Sequence, residues 1–181
     1  VANVIHAGGH MADHLNVIER ALIDNLRTGT YNTTAGIGSG SAWSSGDITV
    51  FGQYPEPEDI KYPCIIVEMV ANGIEEQFMG QMVTSGASSA IGELYGVGFN
   101  LYMFVESGSS MTVDGAAYKQ RRLLNYLMNN VANVCMDTSF TSSNTEVTER
   151  HYTGFRNIGY NQESEIWTAM TSMIIVFKNT R

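Results

Sequence analysis

Three histidines at steps of four stand near the start of this chain, His6, His10 and His14 in "HAGGHMADH". On a helix His10 and His14 would share one face, the placement that metal-ligand pairs use. Gly8 and Gly9 argue against a helix through all three, and Met11 stands where a metalloprotease helix carries its glutamate. An exposed N-terminal segment is the expected outcome, with no metal bound. "GIGSGS" at 36–41 has close glycines, but it lacks the preceding strand, the following helix and the lysine of a phosphate-cradling loop. "KQRR" at 119–122 is the one basic cluster, which suits a solvated face or a partner for a neighbour's acids. Glu75 and Glu76 are adjacent, so on a strand they point to opposite faces and form no carboxylate pair. No Gly-x-Ser-x-Gly elbow supplies an acyl-transfer nucleophile. His151 follows Arg150 in a polar stretch with no motif around it. Cys64 and Cys135 sit in apolar runs and read as small buried hydrophobes, not as a disulfide or zinc ligands. The expectation is a chain with no catalytic residue, no metal and no cofactor.

Composition points the same way. Charged residues make up 15% of 181, below the usual share of about 25%. Neutral polar residues take their place, as suits a surface committed to contacts with neighbours, or long loops. A hydrophobic fraction of 44% is enough for one sizeable core. The net charge of −8 disfavours non-specific binding to nucleic acid and to anionic membranes. No run of about 20 apolar residues is present to span a bilayer. The first residues lack the basic-then-apolar order of a secretory signal.

The elements that must position these residues follow from periodicity. In residues 12–28, Leu15, Ile18, Leu22 and Leu26 form an apolar stripe at spacings of three and four, which predicts an amphipathic helix stopped at Gly29. Residues 29–47 are rich in Gly, Ser and Thr and read as a loop insertion containing Trp43. "DITVFGQY" at 47–54 predicts a short strand. After a proline-rich acidic turn, "CIIVEMV" at 64–70 predicts another, opened by Pro63. Residues 73–82 and 91–106 read as two strands around the polar tip "VTSGASSA". The second is too long for a sheet body, so a β-ribbon arm is expected over about 73–100, with "FNLYMFV" returning to the sheet. A second helix is expected over 112–136, capped by Thr112 or Asp114, with Ala116, Leu123, Leu127, Val131 and Val134 as its stripe. Residues 137–155 read as a polar stretch and 156–162 as a short strand.

The last strand, "EIWTAMTSMIIVFK" at 165–178, is apolar on both faces. Two helices can cover one face of a sheet. The other face needs a different cover, and another copy of the chain is the nearest source. The fold class expected is α+β: one domain over 1–181, a mixed or antiparallel sheet with two amphipathic helices on one face, and a projecting β-ribbon.

The order of elements, with "YPCIIVE" at Tyr62–Glu68, the helix "YKQRRLLNYLMNNV" and the final strand, resembles the tail terminator proteins of long-tailed bacteriophages, also called tail-completion or head–tail joining proteins. The likeness runs over about residues 12–178 and rests on element order and texture, with no short diagnostic motif. It implies an α/β sandwich that assembles into a hexameric ring on the tail tube, stops tube growth and joins the tail to the head connector. The implied partners are further copies of the chain, the tail tube protein, the neck or head-completion protein and the tail sheath. DNA would pass through the ring without specific binding, no membrane would be involved, and the location would be the virion tail or neck after assembly in the host cytoplasm. On this reading the interface residues are Trp43, Phe78, Met79, Met82, Val83 and Tyr95. A second reading is another neck or baseplate structural protein. A third is a small-molecule-binding module or enzyme with Tyr54, His151 or Trp167 as polar handles.

Overall fold

The computed structural model describes residues 11–28, 48–85, 88–113, 115–136 and 147–180. Helix α1 spans Met11–Thr28 and buries Ile18, Leu22 and Leu26 completely, the stripe its spacing predicts. Burial of each such side chain contributes about 1.5–3 kcal/mol. Strand β1 (Thr49–Phe51) runs parallel to β2 (Cys64–Ser85), and Thr49 N–H donates to the Pro63 carbonyl at 3.1 Å. The connection between them, residues 52–63, contains a single 3₁₀ turn at Pro57–Asp59 and a cis Tyr62–Pro63 peptide.

Strand β2 turns back into β3 (Ser88–Glu106), and the two stay paired from Cys64↔Phe104 to Ser85↔Ser88. The strands therefore run through most of the segment that reads as a polar tip. Register breaks at three places, the widest between Gln77 and Met82, where residues 78–81 stand against Gly92 alone. Such bulges twist a ribbon and end its regular pairing. The final strand, β7 (Ile166–Thr180), flanks β3 from Glu106↔Ile166 out to Gly92↔Thr180. Beyond that point the ribbon has only its own two strands among the described residues.

Two expectations are corrected. The segment 112–119 is not the start of a helix. It belongs to a hairpin of β4 (Ser110–Val113) and β5 (Ala116–Lys119), paired from Ser110↔Lys119 to Val113↔Ala116. Asp114–Gly115 is the two-residue hairpin signal, and Gly115 has the positive φ, 75°, that such a turn requires. Helix α2 (Gln120–Met136) begins only after Gln120 at φ 49°, so Ala116 lies outside it, while Leu123, Leu127, Val131 and Val134 are buried as expected. Nor is 147–155 a loop: β6 (Val147–Asn161) is one continuous edge strand, antiparallel to β7. Its polar residues are there because one edge and much of one face meet solvent. Three register shifts and a positive φ at Gly154 and Asn157 bend it, which protects an edge against stray pairing.

The main sheet has the order β1-β2-β3-β7-β6. The fold is α+β, with a mixed sheet that is antiparallel except at β1. Helix α2 lies over β3, β6 and β7, and α1 packs on β1 and against α2. The core between helices and sheet holds Ile65 and Val67 from β2, Phe99, Leu101 and Met103 from β3, and Met173, Ile175 and Phe177 from β7. Each belongs to one alternating face of its strand.

Candidate functional site

The opposite face of the sheet carries no helix among the described residues. Register places Glu68, Asn100 and Ser172 directly opposite one another across β2, β3 and β7, on that face. They are joined by hydrogen bonds. Arg156 Nη2 donates to Ser172 Oγ at 2.6 Å, and Ser172 Oγ donates to Asn100 Oδ1 at 2.7 Å. Asn100 Nδ2 donates to the Tyr102 hydroxyl at 3.3 Å, and that hydroxyl donates to Glu68 Oε2 at 2.9 Å. A polar row thus crosses four strands with a guanidinium at one end and a carboxylate at the other. Its groups are satisfied in place, so an approaching surface meets fixed donors and acceptors.

Apolar ground lies on both sides of this row. On one side Ile174 is 37% exposed between Gly98 and His151, and Val70 is exposed on β2. On the other side the 52–63 connection folds over Cys64, Ile66 and Phe104, leaving a cleft of about 240 Å³. Tyr54, Ile60 and Tyr62 form its outer wall, Ile66 and Phe104 its floor, and Asn161 stands at its end with Ser164. Asn161 Oδ1 accepts from the Glu163 and Ser164 N–H groups, which holds the β6–β7 turn in place. Ser107 ties that turn to β3 through the Glu165 carbonyl. The Tyr54 ring leans on Tyr102, with centroids 5.7 Å apart. Burial, then the neighbouring Tyr102 and Glu68, push the Tyr54 hydroxyl up to about 12. Tyr62 is also raised, by burial first and then by Cys64 and Glu106. Both hydroxyls therefore stay protonated as hydrogen-bond donors at neutral pH.

The residues read from the sequence as polar handles are not brought together. Tyr54 walls the cleft, whereas His151 lies on β6 beside Glu149, with Nε2 3.2 Å from its carboxylate. Trp167 belongs to the helix side of β7, where its ring meets Tyr160 at 4.7 Å. Cys64 and Cys135 are buried, unpaired thiols, each raised to about 12 by burial, so neither is a poised nucleophile. Among the described residues no group of three His, Cys, Asp or Glu side chains can hold a metal, and no helix is long and apolar enough to cross a membrane. Nη1 of Arg150 is buried without a hydrogen-bond partner, and nothing among the described residues accounts for it.

Of the interface residues expected from the sequence, Trp43 lies outside the described residues, as do His6 and His10. Phe78 and Met79 fall in the widest bulge of β2, and Met82 and Val83 pair with Ile91 and Ala90 in the outer ribbon. Tyr95 sits on β3 between Ile74 and Phe177, its ring 5.8 Å from that of Phe177. Sequence reasoning missed the cleft and the polar row. The proline-rich connection read only as a turn, and even the hydrogen-bonded pair Asn100 and Ser172 is 72 positions apart in sequence. A usable signal was present in the last strand, whose second face alternates Ile166, Thr168, Met170, Ser172 and Ile174.

No family model matches this chain, and no curated protein matches it.

Proposed function

We propose that this chain is a structural virion protein, a tail terminator that assembles as a ring on the end of a bacteriophage tail tube and joins it to the head connector. The observation that carries this reading is the β2–β3 ribbon, which continues past Gly92↔Thr180 with no third strand among the described residues. A two-stranded ribbon is marginal in water unless it lies against something. In a ring it lies on the next subunit. The sheet face that no described helix covers, with apolar ground around a pre-formed polar row, supports the same reading, because a neighbour is then its second cover. A net charge of −8 suits a lumen through which DNA slides. The cleft is smaller than the roughly 300–1,000 Å³ usual for small-molecule sites, and its described lining holds no carboxylate, imidazole, ammonium or guanidinium, which weighs against an enzyme.

Light scattering on the purified protein, with negative-stain images of the same peak and with tail tubes added, tests this directly. A hexameric ring, free or formed on tube ends, is the expected result. A compact monomer at high concentration that also ignores tubes would overturn the proposal. Capture of the head connector without any affinity for the tube would move the protein to the neck.

A further inference from the structure

We propose that the cleft beneath the 52–63 connection receives the basic junction Lys119–Arg122 of a second copy of this chain, with the Arg121 side chain entering it. The inference rests on the ring reading and names the contact that would hold neighbouring subunits.

The cleft, about 240 Å³, has room for one long side chain, with an aromatic and aliphatic lining from Tyr54, Tyr62, Ile66 and Phe104. Its rim is acidic. Glu56, Glu58 and Asp59 precede the wall residue Ile60, Glu163 and Glu165 flank Ser164, and Glu106 acts on Tyr62. All six carboxylates are exposed, against one cation in the same connection, Lys61. An arginine suits such a place: its methylene stem packs on apolar walls, its plane stacks on tyrosine and phenylalanine, and its charge ends at the rim.

The chain carries the complement. Lys119, Arg121 and Arg122 are three of its ten lysines and arginines, gathered where β5 enters α2, and all three are exposed. Arg122 is held over the Tyr118 ring at 4.7 Å, which fixes the junction and leaves Arg121 projecting beside it. The ion pairs among the described residues, Arg20–Asp24, Arg27–Asp24 and His151–Glu149, use neither the rim acids nor these cations.

The two surfaces lie on opposite faces of the sheet in one chain. The junction opens α2, which lies on the helix side over β3, β6 and β7, while the cleft opens on the other face of the sheet. A contact between them joins unlike surfaces of two copies, head to tail. Repeated, it closes into a ring or runs on as a filament.

Charge reversal tests this. Lys119→Glu with Arg121→Glu, and separately Glu58→Lys with Asp59→Lys, should each weaken self-association at least tenfold by light scattering, with thermal unfolding unchanged. All four reversals in one chain should restore it. Rising salt should dissociate the wild-type assembly. In a separate variant, Arg121→Cys with Ser164→Cys should form disulfides between subunits and none within one. Assembly of wild type and both reversals with equal affinity would overturn this contact and leave the ring reading standing. A wild type that stays monomeric, with tubes or without, overturns both. Loss of tube capture with unchanged self-association would assign the cleft to the tube protein, against the proposal.

Discussion

The hydroxyl of Tyr102 on β3 donates to the carboxylate of Glu68 on β2 at 2.9 Å, on the sheet face that no described helix covers. This bond anchors one end of the polar row and holds the ring against which Tyr54 leans. Tyr102→Phe keeps the ring and removes the bond. Two hydrogen bonds go with the hydroxyl, so the variant should lose about 1–2 kcal/mol of stability, read from the urea midpoint at unchanged slope. The Tyr54 hydroxyl should also titrate below its value of about 12 in an ultraviolet titration, since part of its shift comes from Tyr102. A variant as stable as wild type would mean that water replaces the row at no cost.

Neighbouring residues on β7 should respond in opposite ways. Met173 is 1% exposed beneath the helices and Ile174 is 37% exposed on the other face. Met173→Ala leaves a cavity and should cost about 2–5 kcal/mol. Ile174→Ala should change the stability of the isolated monomer by about 0.5 kcal/mol or less. If the uncovered face is an interface, Ile174→Ala weakens assembly instead. Equal losses in monomer stability would show that the second face is packed within one chain.

Alkali should destabilise the fold through its thiols. Cys64 and Cys135 are pushed up to about 12 in the folded chain, above the usual value of 9.0. Between these values the native state holds protons that the unfolded state has lost. Stability is therefore full below about pH 9 and falls as pH rises toward 12, by at most about 1.4 kcal/mol per pH unit for each thiol. Denaturant melts at stepped pH should show this fall, and Cys135→Ala should make it shallower. At pH 8 both thiols should resist a disulfide reagent until the protein is unfolded.

Shortening the ribbon separates folding from assembly. Met82↔Ile91 opens the outermost run of regular pairs, which ends at Ser85↔Ser88, so residues 83–90 can be replaced by Asn-Gly, the preferred two-residue hairpin turn. The monomer should keep its thermal midpoint, because the core lies between the helices and the inner sheet. Self-association should fall. Loss of folding would make the ribbon part of the domain's own stability.

The amino-acid sequence by itself determined the elements whose signals are local. The α1 stripe, the buried half of α2, the β-branched opening of β2 and the two-faced final strand all follow from spacing alone, because a helix or strand face is set by residues a few positions apart. So did the absence of any catalytic motif in the sequence. The turn signal at Gly115 was equally local, but the helical pattern beyond Gln120 masked it when extended backwards. β6 was hidden for another reason: an edge strand facing solvent carries polar residues and bulges, which read as a loop. Only the tertiary structure could place the 52–63 connection over Cys64, Ile66 and Phe104, or align Glu68, Asn100 and Ser172 in one row. Those relations depend on register between strands far apart in sequence, and no spacing along the chain encodes register across it.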